Sequence, residues 1–198
     1  DLAGNKGSPF SATDDNTEVV LDTTTPTLSG ITLVSNNTND SQAFAKPDDE
    51  ITLSFNTSEP IQTPTIILAD NTTVNVSDTS NLEDGTSWSA VHKVVSGEIK
   101  RDVTFSIAYR DIAGNTGDNR TQANSSTNTI NIDTDPPNLT EVSLSSLGNN
   151  DPSLARVGQS VQLEFEGSEK LKDPTVVIHG QTIPLYGVEE TWSTSYQV

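Results

Sequence analysis

Five carboxylates stand where a hard cation could be gathered: Asp22, Glu59, Asp111, Asp133 and Asp135. Calcium takes about six to eight oxygen ligands, so a site for it needs several carboxylates brought together, and these five fall at strand ends and linkers. No run of the EF-hand kind, Asp-x-Asp-x-Asp-Gly, occurs, so any such site has to be assembled by the fold. The competing reading of each is local, because carboxylates at turns accept hydrogen bonds from nearby backbone amides. The remaining candidates do not suggest catalysis. His92 and His179 lie far apart on strand-like segments, with neither a serine motif nor a metal-spaced partner. Asp48, Asp49 and Glu50, flanked by Lys46 and Pro47, read as a charged turn and not as an acid/base pair. The expected chemistry is binding; no catalytic residue and no enzyme is expected.

Composition narrows the partners. Ten basic residues against 28 acidic ones leave a net charge of -18, which repels phosphate backbones and anionic surfaces and makes nucleic acid a poor partner. The acidity suits solubility or divalent cations, and its plain reading is a solvated surface. There is no cysteine, so no disulfide or thiolate metal site can form. No apolar run approaches the roughly 18 residues of a spanning helix, so direct membrane insertion is not expected of this segment. Asp1 is not a signal-peptide start, and any export signal or anchor is expected outside these residues. With 31% hydrophobic and 5% aromatic residues, each domain has material for one modest core and no deep pocket.

The elements that would position the acids are repeated. Asp111-Ile112-Ala113-Gly114-Asn115 returns almost unchanged as Asp1-Leu2-Ala3-Gly4-Asn5, a period of about 110 residues. The run Glu18-Val19-Val20-Leu21-Asp22 matches Thr129-Ile130-Asn131-Ile132-Asp133, and each reads as a strand closed by Asp and followed by proline. Proline there (Pro26; Pro136 and Pro137) stiffens an extended linker. Ile31 and Leu33 match Val142 and Leu144, and Ile51-Thr52-Leu53-Ser54-Phe55 with Ser58-Glu59 matches Val161-Gln162-Leu163-Glu164-Phe165 with Ser168-Glu169. Pro64 to Leu68 matches Pro174 to Ile178, and the Trp88 strand matches the Trp192 strand. Only the first copy continues to a strand with Val103, Phe105, Ile107 and Tyr109 on one face. Short alternating strands without helical periodicity predict an all-β protein of antiparallel β-sandwich domains with about seven strands each. The expected division is a terminal strand segment over 1–22, a complete domain over 23–133, and a domain over 134–198 that lacks its last strands, so the array is incomplete at both ends.

These residues carry a resemblance. A Val-x-Asp-x-x-x-Pro linker, an Ile-Thr-Leu-x-Phe strand followed by Ser-Glu, a Trp strand and Asp-x-Ala-Gly-Asn together resemble the bacterial Ig-like repeats of large secreted adhesins and surface fibres, over essentially the whole chain. The resemblance implies tandem Ig-like Greek-key sandwiches in an extracellular or cell-surface array, often ordered by calcium at the domain junctions, and no enzyme. The expected function is a structural fibre or surface stalk assembling head-to-tail with copies of itself, through a continuous chain or through strand complementation. Val19, Val20 and Leu21 are then the donor segment. The alternative is a calcium-dependent adhesin module that binds carbohydrate or cell-surface glycans. Trp88 and Trp192 have the chemistry to stack on sugars, although equivalent placement in both copies favours the core. Asn36, Asn39, Asn56, Asn71, Asn75, Asn119, Asn124 and Asn138 each head an Asn-x-Ser/Thr sequon, and Thr23 to Thr25 offer O-linked positions, so N- or O-linked glycans join calcium as expected additions.

Overall fold

The computed structural model describes residues 1–198 except 10–16, 40–42, 70–71, 81–83, 124–128 and 149. The chain is all-β, with no helix among the described residues and several antiparallel sheets, consistent with a β-sandwich. It divides into two compact units, Asp1–Thr134 and Asp135–Val198.

In the first unit the strands are β1 (Leu28–Ser35), β2 (Phe44–Ala45), β3 (Glu50–Thr57), β4 (Thr65–Leu68), β5 (Thr72–Thr73), β6 (Val76–Asp78), β7 (Ser87–Lys93), β8 (Arg101–Asp102), β9 (Phe105–Ala108) and β10 (Asn131–Ile132). They form three sheets with orders β1-β3-β7-β6, β5-β4-β9 and β2-β10-β8. Period-two alternation is what sorts their side chains. Ile51, Leu53 and Phe55 of β3 meet Ile31 and Leu33 of β1 and Trp88 and Ala90 of β7, while Ile66 and Leu68 of β4 oppose Phe105 and Ile107 of β9 in the same buried core. Val103, Phe105, Ile107 and Tyr109 are all buried, as their shared face predicts. One pairing departs from the antiparallel expectation: β10 runs parallel to β2 and antiparallel to β8, so Ile132 sits between two very short strands.

The second unit contains β11 (Leu139–Leu147), β12 (Ser160–Gly167), β13 (Val176–Ile178), β14 (Gln181–Ile183), β15 (Tyr186–Val188) and β16 (Thr191–Gln197), in sheets β11-β12-β16-β15 and β13-β14. The two units share irregularities. The β1–β3 register slips between Ser29 and Thr32, and the β11–β12 register slips between Leu139 and Glu141. A Trp indole N–H caps the same turn in each unit, Trp88 donating to the Gly85 carbonyl and Trp192 to the Glu189 carbonyl, each at 3.0 Å.

Glu18 to Asp22 pairs with no strand among the described residues, and Val19 is 97% and Leu21 86% exposed, because alternation makes a strand only where a neighbouring edge receives it. Their counterparts Ile130 and Ile132 are buried in unit 1, the latter on β10. Val142 and Leu144, expected half-buried, are 57% and 67% exposed, against 1% and 2% for Ile31 and Leu33. Among the described residues, the strands of unit 2 form one four-stranded sheet and a hairpin, and Val142 and Leu144 lie where neither covers them.

Candidate metal centre

Asp111 opens the turn after β9 and is 1% exposed. Its Oδ1 accepts the Gly114 N–H at 2.6 Å and the Asn115 N–H at 2.8 Å, and its Oδ2 accepts the Asn115 side-chain amide at 2.7 Å. Gly114 supplies the left-handed φ of 103° that closes the loop, a conformation that costs glycine least. The same construction stands at the other copy. Asp1 Oδ1 takes the N–H groups of Ala3 and Asn5 and Oδ2 takes the Asn5 amide, all at 2.9 Å, with Gly4 at φ 88°. Asp-x-Ala-Gly-Asn is thus a self-capped turn, as its residue types suggest.

Two contacts carry other acids to this turn. The isolated bridge between Ile61 and Asp111 lays the turn after β3, which holds Glu59, beside the turn after β9. Ser58 then clamps the linker: its N–H donates to the Thr27 carbonyl at 3.0 Å and its Oγ accepts the Thr27 N–H at 3.0 Å. Unit 2 repeats that clamp between Ser168 and Asn138. Pro26 is fully buried, so this linker packs on the unit rather than spanning free. Along it, Asp22 is fixed through its Oδ1, which accepts the N–H and hydroxyl of Thr24 at 3.0 and 2.7 Å, while the Asn115 amide donates to the Asp22 carbonyl at 3.3 Å.

The result is that one carboxylate oxygen from each of Asp22, Glu59 and Asp111 lies within 4.8 Å of the others. The second oxygens of Asp22 and Asp111 keep acceptor capacity beyond these bonds. Burial, followed by the charges of Asp22 and Asp111, raises the Glu59 carboxyl above its ordinary range. Burial also pushes Asp111 up, but the donors on Asn115, Gly114 and Ala113 outweigh it and hold that carboxyl below the usual value. An all-oxygen, all-carboxylate set suits a hard divalent cation such as calcium and lacks the imidazole or thiolate that zinc favours.

The other sequence candidates go elsewhere. Asp133, the counterpart of Asp22, pairs with Lys100 at 2.5 Å, and Asp135 is exposed and outside the cluster. His92 pairs with Glu98 at 3.0 Å. His179 is not on a strand: with φ 50°, followed by Gly180 at φ 79°, it forms the two-residue turn between β13 and β14, the His-Gly signal of a primed hairpin turn. Asp48 and Asp49 form the expected charged turn, Asp49 accepting the Lys46 ammonium at 2.8 Å and Asp48 the Lys93 ammonium at 2.9 Å. Trp88 is core and Trp192 half-buried. The sequon residues Asn36, Asn39, Asn56, Asn75, Asn119 and Asn138 are exposed, whereas Asn71 and Asn124 lie outside the described residues. Of the residues that position these acids, Ser58 and Asn115 show in the sequence only as parts of the repeated Ser-Glu and Asp-x-Ala-Gly-Asn motifs, and Thr24 carries no signal of its own. No protein-family model and no curated protein matches this chain.

Proposed function

We propose that the chain is a structural segment of an extracellular fibre or surface stalk built from tandem Ig-like Greek-key sandwiches, in which Asp22, Glu59 and Asp111 hold a calcium ion where a linker meets its domain. The observation that carries this reading is the convergence of three carboxylates from three separate segments, one of them the linker itself. A cation there neutralises their mutual repulsion and adds to the Ser58 and Asn115 contacts a further tie between residue 22 and the turns at 59 and 111, which stiffens the linker where it meets the domain. Reach and display are mechanical tasks, and a stiffened array of short domains serves them. Calorimetric titration of the chain with calcium tests it. One site of submillimolar to millimolar affinity is expected, with Asp22→Asn weakening it at least tenfold; heat no larger than dilution would remove the reading. Extracellular calcium modules bind at about 0.1–1 mM, so ~10 mM calcium stabilises the unit by about 1.4–2.7 kcal/mol.

The adhesin alternative has one specific observation in its favour. A groove of about 470 Å³ in unit 2 places Tyr186 and Trp192 beside Glu141, Glu164 and Glu166, aromatic faces and acceptors that suit a sugar. A glycan-array signal lost in Tyr186→Ala would support it, and a blank array would exclude it.

A further inference from the structure

One sheet face is open in both units and carries different chemistry in each. In unit 1 the outward residues of the sheet β1-β3-β7-β6 are small and neutral: Ser54 faces Thr32, Asn56 faces Ser29 and Ser77 faces Ser89. None of the six is buried, so the strands that close the core of unit 1 do not cover this face. In unit 2 the matching places hold Glu164 facing Ser143, Glu166 facing Glu141 and Tyr186 facing Ser193, with Val188 facing Thr191 beside them. Tyr186 is 70% and Val188 75% exposed. Together they line the groove of about 470 Å³, with carboxylates on β11 and β12, hydroxyls on β16, and an aromatic and an apolar side chain on β15.

Glu141 and Glu166 stand directly opposite each other on a chain of net charge -18, and like charges so placed destabilise a sheet. A cationic ligand removes that repulsion, a neutral one leaves it and an anionic one adds to it. The backbone of β12 and β16 is spent in the ladder on both sides, so this face recognises through side chains. An extended peptide that binds by joining an open edge has no ladder to join here. Hydroxyls and carboxylates beside an aromatic ring suit a pyranose, whose C–H face stacks on the ring while its hydroxyls meet the polar groups.

We propose that this groove binds an amino-sugar oligomer, of the glucosamine type with free, protonated amines, one ring stacked on Tyr186 and an ammonium held by Glu164 and Glu166. Tyr186 and Glu164 both pair with Ser193, from opposite sides of β16, which sets them two strand spacings, about 10 Å, apart. The stacked ring and the ammonium therefore belong to successive sugars, and a monosaccharide does not reach both. The inference rests on the adhesin reading of this groove and narrows its ligand from sugars in general to cationic ones.

The test is calorimetric titration of the full chain in chelator at about pH 6, where the glutamates are ionised. Three probes are compared: a glucosamine tetramer, its N-acetylated counterpart and a tetralysine peptide. The glucosamine tetramer is expected to bind at least tenfold more tightly than either of the others, and more weakly as salt rises. Tyr186→Ala and Glu166→Gln should each weaken it at least fivefold. Glu166→Gln should also leave the urea midpoint unchanged or higher, because it ends the repulsion from Glu141, so its weaker binding is not misfolding. N-acetylated tetramer binding as tightly as the free amine overturns the cationic inference and leaves the adhesin reading standing. Tetralysine binding as tightly as the glucosamine tetramer assigns the face to a basic protein and overturns it as well. Binding of neither tetramer also overturns it, while the glycan array decides the adhesin reading separately.

Discussion

Asn115 serves two partners at once: its side-chain amide donates to the Asp111 carboxylate and to the Asp22 carbonyl, and so ties the turn after β9 to the linker. Asn115→Ala removes both and leaves Asp111 a buried carboxylate with fewer donors. A loss of about 1–2 kcal/mol is expected in urea unfolding, with weaker calcium binding, because the hydrogen bonds involved reach a charged group. Gly117 carries a different constraint. A Cβ there would sit 2.3 Å from the Tyr109 ring, which is buried in the core. Gly117→Ala therefore overpacks the site, and a loss of about 1–3 kcal/mol is expected by the same measurement. At this scale the sequence was partly legible. A short repeated motif of Asp, Gly and Asn says turn, and the turn is there twice. That Asp22 and Glu59 join Asp111, while Asp133 and Asp135 do not, depends on the Ile61–Asp111 bridge and on Lys100, long-range placements that no local pattern carries.

The two units test the same strands with and without a closing neighbour. Ile107→Ala in β9 opens a cavity in a filled core and should cost about 2–5 kcal/mol. Val142→Ala on β11 removes a side chain already more than half exposed, and a change within about 0.5 kcal/mol is expected. Long strands such as β3 and β12 were legible because alternation is a local signal of period two. β10 was legible as part of the Thr129–Asp133 run, but the two-residue strands β2 and β8 were not, since β2 exists through a parallel pairing with β10 between residues about 87 positions apart and β8 through an antiparallel pairing with the same strand. The run Val19 to Leu21 shows the same limit from the other side: its pattern is that of a strand, but a strand is a property of two edges, and unit 1 offers it none.

For the whole molecule, a net charge of -18 means that compaction brings like charges together. Raising monovalent salt from about 0.02 to 0.5 M shortens the Debye length from roughly 20 to 4 Å, so the melting temperature of the metal-free chain should rise modestly. Calcium should do so at far lower concentration, because it is held at one place. The acid cluster also fixes the sign of the pH response. The Glu59 carboxyl is raised, so its contribution to stability is present below the ordinary glutamate range and is lost as pH rises through its folded value. Asp111, held low, contributes above the ordinary aspartate range and loses that only as pH falls through its folded value. Without metal, then, neutral pH leaves Glu59 charged at a cost, and Glu59→Gln relieves it; with metal, the same change removes a ligand. Thermal melts of wild type and Glu59→Gln at pH 7, in chelator and in 10 mM calcium, test this most directly. The account predicts a reversal, with Glu59→Gln melting above wild type in chelator and below it in calcium. Identical ordering in both conditions, or a wild-type melt indifferent to calcium, would contradict it.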